Sequence, residues 1–168
     1  YSLHIEYKAG QLDHREYLAE VNGEDPRVKF IEKIISDCGD SGDVLVYNIG
    51  FERGKLFDLI EFSPKHKVPI LKIIDRLKDL MVPFRDRMYY TPSMQGSYSI
   101  KKVLPALVPE LSYKMLNIQE GGTASNTFSQ MVQGNFEGDA VQTRKDLLAY
   151  CKMDTYAMVK ILEVLKRV

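Results

Sequence analysis

The stretch Asp43-Val44-Leu45-Val46-Tyr47-Asn48-Ile49-Gly50-Phe51-Glu52 decides how this chain is read. A short continuous apolar run from Asp43 to Asn48 predicts a strand buried on both faces. Gly50 marks a turn. Phe51, Leu56, Leu59 and Ile60 then fall at helical spacing, which predicts a helix over 51–62. A strand that turns at once into a helix delivers Glu52 at the strand's end.

Working outward, Tyr1, Leu3, Ile5 and Tyr7 alternate with Ser2, His4, Glu6 and Lys8, the pattern of a half-buried strand. Residues 10–14 predict a turn and residues 15–21 a hairpin partner. Asp25-Pro26 places a cap before a first-position proline, and Cys38-Gly39 closes the helix between them. Its apolar face is Val28, Phe30, Ile31, Ile34 and Ile35. Residues 69–80 predict a helix with Ile70, Ile73, Ile74 and Leu77 inward. Residues 81–90 predict an extended segment, since Pro83 has no donor for a central ladder. A short helix is expected over 100–107, a turn at Gly121-Gly122, a helix over 123–133 and the longest helix over 143–168. Strand, strand, helix, strand and helix, followed by further helices, indicate a layered α/β domain spanning 1–168.

Composition excludes some function classes. The 168 residues suit one domain with a sizeable core. With 23 basic and 23 acidic residues there is no global field to attract a polyanion, so any such binding needs a local patch. No apolar run approaches the roughly 20 residues that cross a bilayer, so no membrane partner is expected. Cys38 and Cys151 have neither paired nor zinc-like spacing, which fits a reducing cytoplasm. The chain opens on what reads as a strand already under way, so an N-terminally truncated fragment of a longer protein is expected.

Chemistry is suggested by Tyr150-Cys151-Lys152-Met153-Asp154. A tyrosine and an aspartate four residues apart share one helix face. Together with Glu52 they resemble the parts of a metal-dependent phosphodiesterase, in which carboxylates converge on metal ions about 4 Å apart. Magnesium prefers such oxygen ligands. Each residue also has an ordinary explanation. Glu52 suits the first turn of a helix, where the dipole favours an acid. Asp154 suits an exposed helical charge beside Lys152, and Tyr150 a core aromatic.

Tyr47-Asn48-Ile49-Gly50-Phe51-Glu52 followed by Leu56 resembles the second motif of the DEDD exonuclease superfamily, and Tyr150-x-x-x-Asp154 its third motif in the DEDDy branch. Gly96-Ser97-Tyr98-Ser99-Ile100-Lys101-Lys102-Val103-Leu104 resembles the segment between them, near the nucleic-acid path. The chain is also similar to a bacterial domain family of undefined function found C-terminal to RecB-like nuclease domains. The resemblance implies an RNase H-like (DnaQ-like exonuclease) mixed sheet flanked by helices and 3′–5′ cleavage of DNA or RNA. It implies two Mg2+ or Mn2+ ions, with Glu52 and Asp154 as metal ligands and Tyr150 positioning the attacking water. Asn48, Ser97, Lys101 and Lys102 are then expected to touch nucleic acid, and a RecB-like domain in the same chain is an expected partner. The alternative is a catalytically degenerate module that binds nucleic acid or a partner.

The sequence departs from that pattern twice. Glu52 stands where the superfamily has Asp. The first motif, Asp-x-Glu, is missing, and His4-Ile5-Glu6 has His where Asp belongs. Residues 1–6 are therefore expected to form the second strand, the first lying upstream, and the fragment alone is expected to be inactive. Arg85 and Arg87, with Tyr89, Tyr90 and Tyr98, are further candidates for a basic, stacking edge. Asp79 is a minor site candidate. His4, His14 and His66 share no spacing and read as surface or turn residues.

Overall fold

The computed structural model describes residues 1–8 and 10–168. Strand β1 (Ser2–Lys8) pairs antiparallel with β2 (Gln11–Glu16), with Leu3 opposite Arg15 and His4 opposite His14. Helix α1 (Arg27–Cys38) follows, then β3 (Val44–Val46), α2 (Ile49–Phe62) and α3 (Lys67–Ile74). Strand β4 (Leu77–Asp79) returns parallel to β3, with Val44, Leu45 and Val46 opposite Leu77, Lys78 and Asp79. A short α4 (Val82–Arg85) leads to α5 (Ile100–Leu107), α6 (Gly121–Gln133) and the long α7 (Ala140–Leu165). The architecture is mixed α/β. Among the described residues its strands form two separate pairs and not one continuous sheet.

Several expectations shift. The segment 69–80 is not one helix, because α3 stops at Ile74 and Leu77 enters β4. Pairing beside β3 satisfies this backbone better than further helix would. Pro83 starts a helical turn instead of an extended run, at a position where its missing N–H costs nothing. The hairpin partner of β1 is residues 11–16 rather than 15–21. Gly121-Gly122 opens α6 and is not a turn.

Two apolar clusters organise the molecule. One gathers Ile31, Val46, Leu56, Ile70, Ile73 and Leu77 between β3, β4 and helices α1 to α3. The other packs α5 and α7 through Val103, Leu104, Leu147, Tyr150, Ala157 and Ile161, with Phe84, Met94 and Tyr113 beneath. Arg76 locks the first cluster. Its guanidinium donates to the carbonyls of Ser41 at 2.6 Å, Gly42 at 3.0 Å, Gly39 at 2.7 Å and Cys38 at 3.3 Å. It thereby satisfies the open end of α1 and holds the approach to β3 beside β4. The hairpin is tied down at Asp37, which accepts from Tyr1 Oη at 2.6 Å and pairs with Lys33 and Arg15. Among the described residues no helix is long and apolar enough to cross a membrane.

Candidate functional site

The parallel pair β3–β4 ends at Val46 and Asp79, and the chain leaves both strands on the same edge. After β3 it turns through Asn48, whose φ of 84° lies in the left-handed region that Asn tolerates better than most residues. Asp79 holds this turn. Its carboxylate accepts from the backbone N–H of Asn48 at 3.1 Å, Ile49 at 3.2 Å and Met81 at 3.0 Å. The bend launches α2, and Glu52 falls in that helix's first turn. Among the described residues, Glu52 Oε2 is buried with no hydrogen-bond partner. Burial, with the Asp79 carboxylate adding to it, raises the Glu52 carboxyl above its ordinary range, against some relief from the residue's own backbone N–H.

The second carboxylate is on α7. Asp154 is half-buried, and Tyr113 Oη donates to its Oδ1 at 2.7 Å. The Tyr150 hydroxyl, one turn earlier, is a second and weaker donor that favours the charged carboxylate. Burial raises the Asp154 carboxyl; the two phenols and the Lys101 ammonium oppose that and do not cancel it. The Tyr113 and Tyr150 rings are 6.2 Å apart, centroid to centroid. Lys101 Nζ sits 5.9 Å from the first ring centroid and 6.0 Å from the second. Among the described residues Lys101 has no ion pair. Burial and the neighbouring carboxylate drive both phenols far above their usual range, so both keep their protons.

Tyr47 links the two halves. It follows β3 directly, donates to the Tyr98 carbonyl at 2.7 Å, feels the charge of Asp79 and is electrostatically coupled to Tyr113. A strip of polar groups thus runs Glu52, Asp79, Tyr47, Tyr113, Asp154, Tyr150 and Lys101. Among the described residues no hydrogen bond or ion pair joins Glu52 directly to Asp154, and no cluster of three His, Cys, Asp or Glu side chains suits a metal ion. Of the other expected site residues, Asn48 is exposed and contributes its backbone N–H to Asp79. Ser97 Oγ accepts from the Ser99 N–H at 3.2 Å. Lys102 Nζ donates to Gln95 Oε1 at 2.9 Å. Arg85 pairs with Asp86, and the Asp79 carboxylate adds a little to the field that favours its charge. Sequence reasoning quoted Tyr47 within the second-motif resemblance without giving it a site role, passed over Tyr113 and gave Asp79 little weight. Tyr113 carries no local signal, since it stands in a single 3₁₀ turn, Tyr113–Met115, between α5 and α6.

Residues 1–99 match the family described as a domain of unknown function, DUF2779. The chain belongs to this family. The matched part of DUF2779 carries Glu52, Asp79 and Tyr47; Tyr113, Tyr150 and Asp154 lie beyond it. The chain is also similar to the uncharacterized protein UU173 of Ureaplasma parvum serovar 3, with 28% identity over 144 residues, covering 73% of this chain and 20% of that protein. It therefore spans about a fifth of the length of the curated relative it matches. No solved structure matches the chain.

Proposed function

We propose that this domain belongs to a metal-dependent 3′–5′ exonuclease with an RNase H-like fold, acting on DNA or RNA in the cytoplasm as part of a longer protein. The observation that carries the reading is the strip itself. Its Tyr47, Glu52 and Asp79 lie at the carboxyl ends of two parallel strands, the usual place for a ligand in an α/β sheet. It holds two carboxylates raised in proton affinity mainly by burial, beside two phenols and a lysine without a carboxylate partner among the described residues. Ionised groups kept partly dry and under-partnered are costly for stability, and sites of chemistry are where such costs accumulate.

The donors fit a hard divalent cation. Glu52 keeps an oxygen without a partner among the described residues, and Mg2+ or Mn2+ takes oxygen ligands. Such an ion, when bound, would polarise a phosphoryl oxygen and acidify a water. Glu52 and Asp154 are the residues that would hold it. Two carboxylates are too few for two metals, and the reading assigns the remaining ligands to an Asp-x-Glu strand outside residues 1–168. Tyr113 fixes the orientation of Asp154. Tyr150 keeps its proton and serves as hydrogen-bond donor to the attacking water. Lys101 attracts the scissile phosphate. A RecB-like nuclease domain in the same chain is the expected partner.

The second reading is a module that binds nucleic acid without cutting it. The test uses the full-length protein with Mg2+ and with Mn2+ on 5′-labelled single-stranded DNA and RNA. Stepwise loss of 3′ nucleotides should fall by about 100-fold or more in Asp154→Asn and in Glu52→Gln, the scale of removing electrostatic stabilisation from a reacting phosphate. Binding without cleavage in the unsubstituted protein selects the second reading. Cleavage unchanged in both variants removes the strip from the reaction.

A further inference from the structure

The β1–β2 hairpin is fastened to α7 by a polar relay that takes no part in the proposed nuclease site. His4 and His14 are cross-strand partners, and their ring centroids are 4.6 Å apart with the planes tilted by 36°. From this pair a path of hydroxyls reaches the helix. His14 Nε2 lies 2.9 Å from Ser2 Oγ, Ser2 Oγ lies 2.8 Å from Thr155 Oγ1, and Thr155 Oγ1 lies 2.8 Å from His4 Nδ1. Thr155 Oγ1 also donates to the Lys152 carbonyl at 3.2 Å. One assignment satisfies every member with both rings neutral: Thr155 donates to the backbone, Ser2 donates to Thr155, and each ring donates its single N–H into the path.

We propose that this His4–Thr155–Ser2–His14 relay is a proton-operated clamp, holding the hairpin against α7 when both rings are neutral and loosening it when they charge. The surroundings set the direction. Rings this close cannot both become cations without repulsion. From α7 the groups beside His4 are Lys152, a second cation, and the Tyr156 ring at 5.6 Å. From β2, Asp13 is committed to Arg15, and Glu16 stands 3.7 Å from His14 Nε2, not from His4. Glu16 therefore gives His4 no counter-charge, and the neighbouring His14 ring opposes a charge on His4. Leu12, Leu116 and Met153 line the rest of an open cleft of about 390 Å³ and offer neither ring a counter-charge. Burial, then His14 and Lys152, lower the His4 pKa to about 4. A histidine lowered in this way binds fewer protons folded than unfolded. Docking is then complete above the ordinary histidine pKa of about 6.5 and weakens as pH falls from there toward the folded value.

The test is an NMR titration of this chain that follows both histidine Cε1–H resonances and the exchange protection of β1 and β2 amides. Hairpin protection should fall by about tenfold from pH 7.5 to pH 5 relative to α2 and α3 amides, with His4 titrating well below the ordinary histidine pKa of about 6.5. In His4→Gln/His14→Gln, which retains side-chain amide donors but cannot charge, the fall should vanish. His4 titrating near the ordinary value with constant hairpin protection overturns the clamp, as does an undiminished fall in the double variant. Should the double variant fail to fold, the wild-type titration decides alone: hairpin protection that does not track the histidine titrations refutes the proposal. Neither outcome bears on cleavage by Glu52 and Asp154.

Discussion

Asp37 and the pair Glu52 and Asp154 are all withdrawn from solvent to some degree, and the fold treats them oppositely. Asp37, 6% exposed, receives Tyr1 Oη, Lys33 and Arg15. Burial alone would raise its pKa, yet these partners outweigh burial and the net shift is downward. At the strip the balance reverses. Glu52 has an acid for a neighbour, and Asp154 has two phenols and one lysine that fall short. Where a carboxylate serves the fold, the chain supplies cations; along the strip it withholds them. The sharpest break of this comparison is Asp37→Ala. It removes the hydrogen bonds joining β1, β2 and α1, and hydrogen bonds to a charged group contribute about 1.5–3 kcal/mol. We expect a loss of about 2–3 kcal/mol in urea unfolding at pH 7. A loss below about 0.5 kcal/mol, the scale of an ordinary surface change, would make Asp37 as dispensable as an exposed acid. The sign with pH follows. With the folded pKa lowered, the contribution of Asp37 is present above the unfolded value of about 4 and is lost as pH falls through the folded one.

Glu52 and Asp154 should behave the other way. Their folded pKa values are raised, so each contributes stability below the unfolded value and loses it as pH rises through the folded one. The fold therefore disfavours each as an anion. Glu52→Gln and Asp154→Asn keep shape and remove that charge, so each should leave stability unchanged or raise it by up to about 1 kcal/mol. The gain should shrink as pH drops from 7 toward 4. Thermal unfolding of both variants across that range measures it. If each instead costs more than about 1 kcal/mol, the scale of a lost structural hydrogen bond, the contrast with Asp37 disappears and the strip becomes ordinary architecture.

What the sequence disclosed follows from the range of the interactions. The run Val44–Val46 and the helix ending at Phe62 were readable because a local apolar triplet and local helical spacing specify them, but the turn expected at Gly50 falls at Asn48 and Gly50 lies inside the helix. Tyr150 and Asp154 were readable as a pair because four residues on one helix fix their relation. Strand β4 was not, because Ile70, Ile73, Ile74 and Leu77 keep helical spacing straight through the break at Asp75-Arg76, and only pairing with β3 turns Leu77 into a strand residue. His4 and His14 looked unrelated because their proximity exists only in the hairpin register. Asp79 and Tyr113 reach their partners across the fold, Asp79 to Asn48 and Ile49 and Tyr113 to Asp154, and no spacing rule connects residues that far apart. The candidate carboxylates were legible one at a time; the groups that tune them were not.

The smallest effect separates the two phenols at Asp154. Tyr113 makes the 2.7 Å hydrogen bond, whereas Tyr150 is the weaker donor. Tyr113→Phe leaves a partly buried carboxylate short of its main donor and should cost about 1 kcal/mol at pH 7. It should also push the Asp154 carboxyl further up, since the hydroxyl it loses favours the charged form. Tyr150→Phe should cost less stability and move Asp154 less. In the full-length protein the order should reverse for cleavage, because Tyr150 is the phenol assigned to the attacking water while Tyr113 is already occupied by Asp154. Carbon-detected NMR of the Asp154 carboxyl, beside single-turnover cleavage by both variants, makes the comparison. Equal shifts from both substitutions would show the two donors to be equivalent. A larger rate loss in Tyr113→Phe would move the water-positioning role from α7 to the turn between α5 and α6.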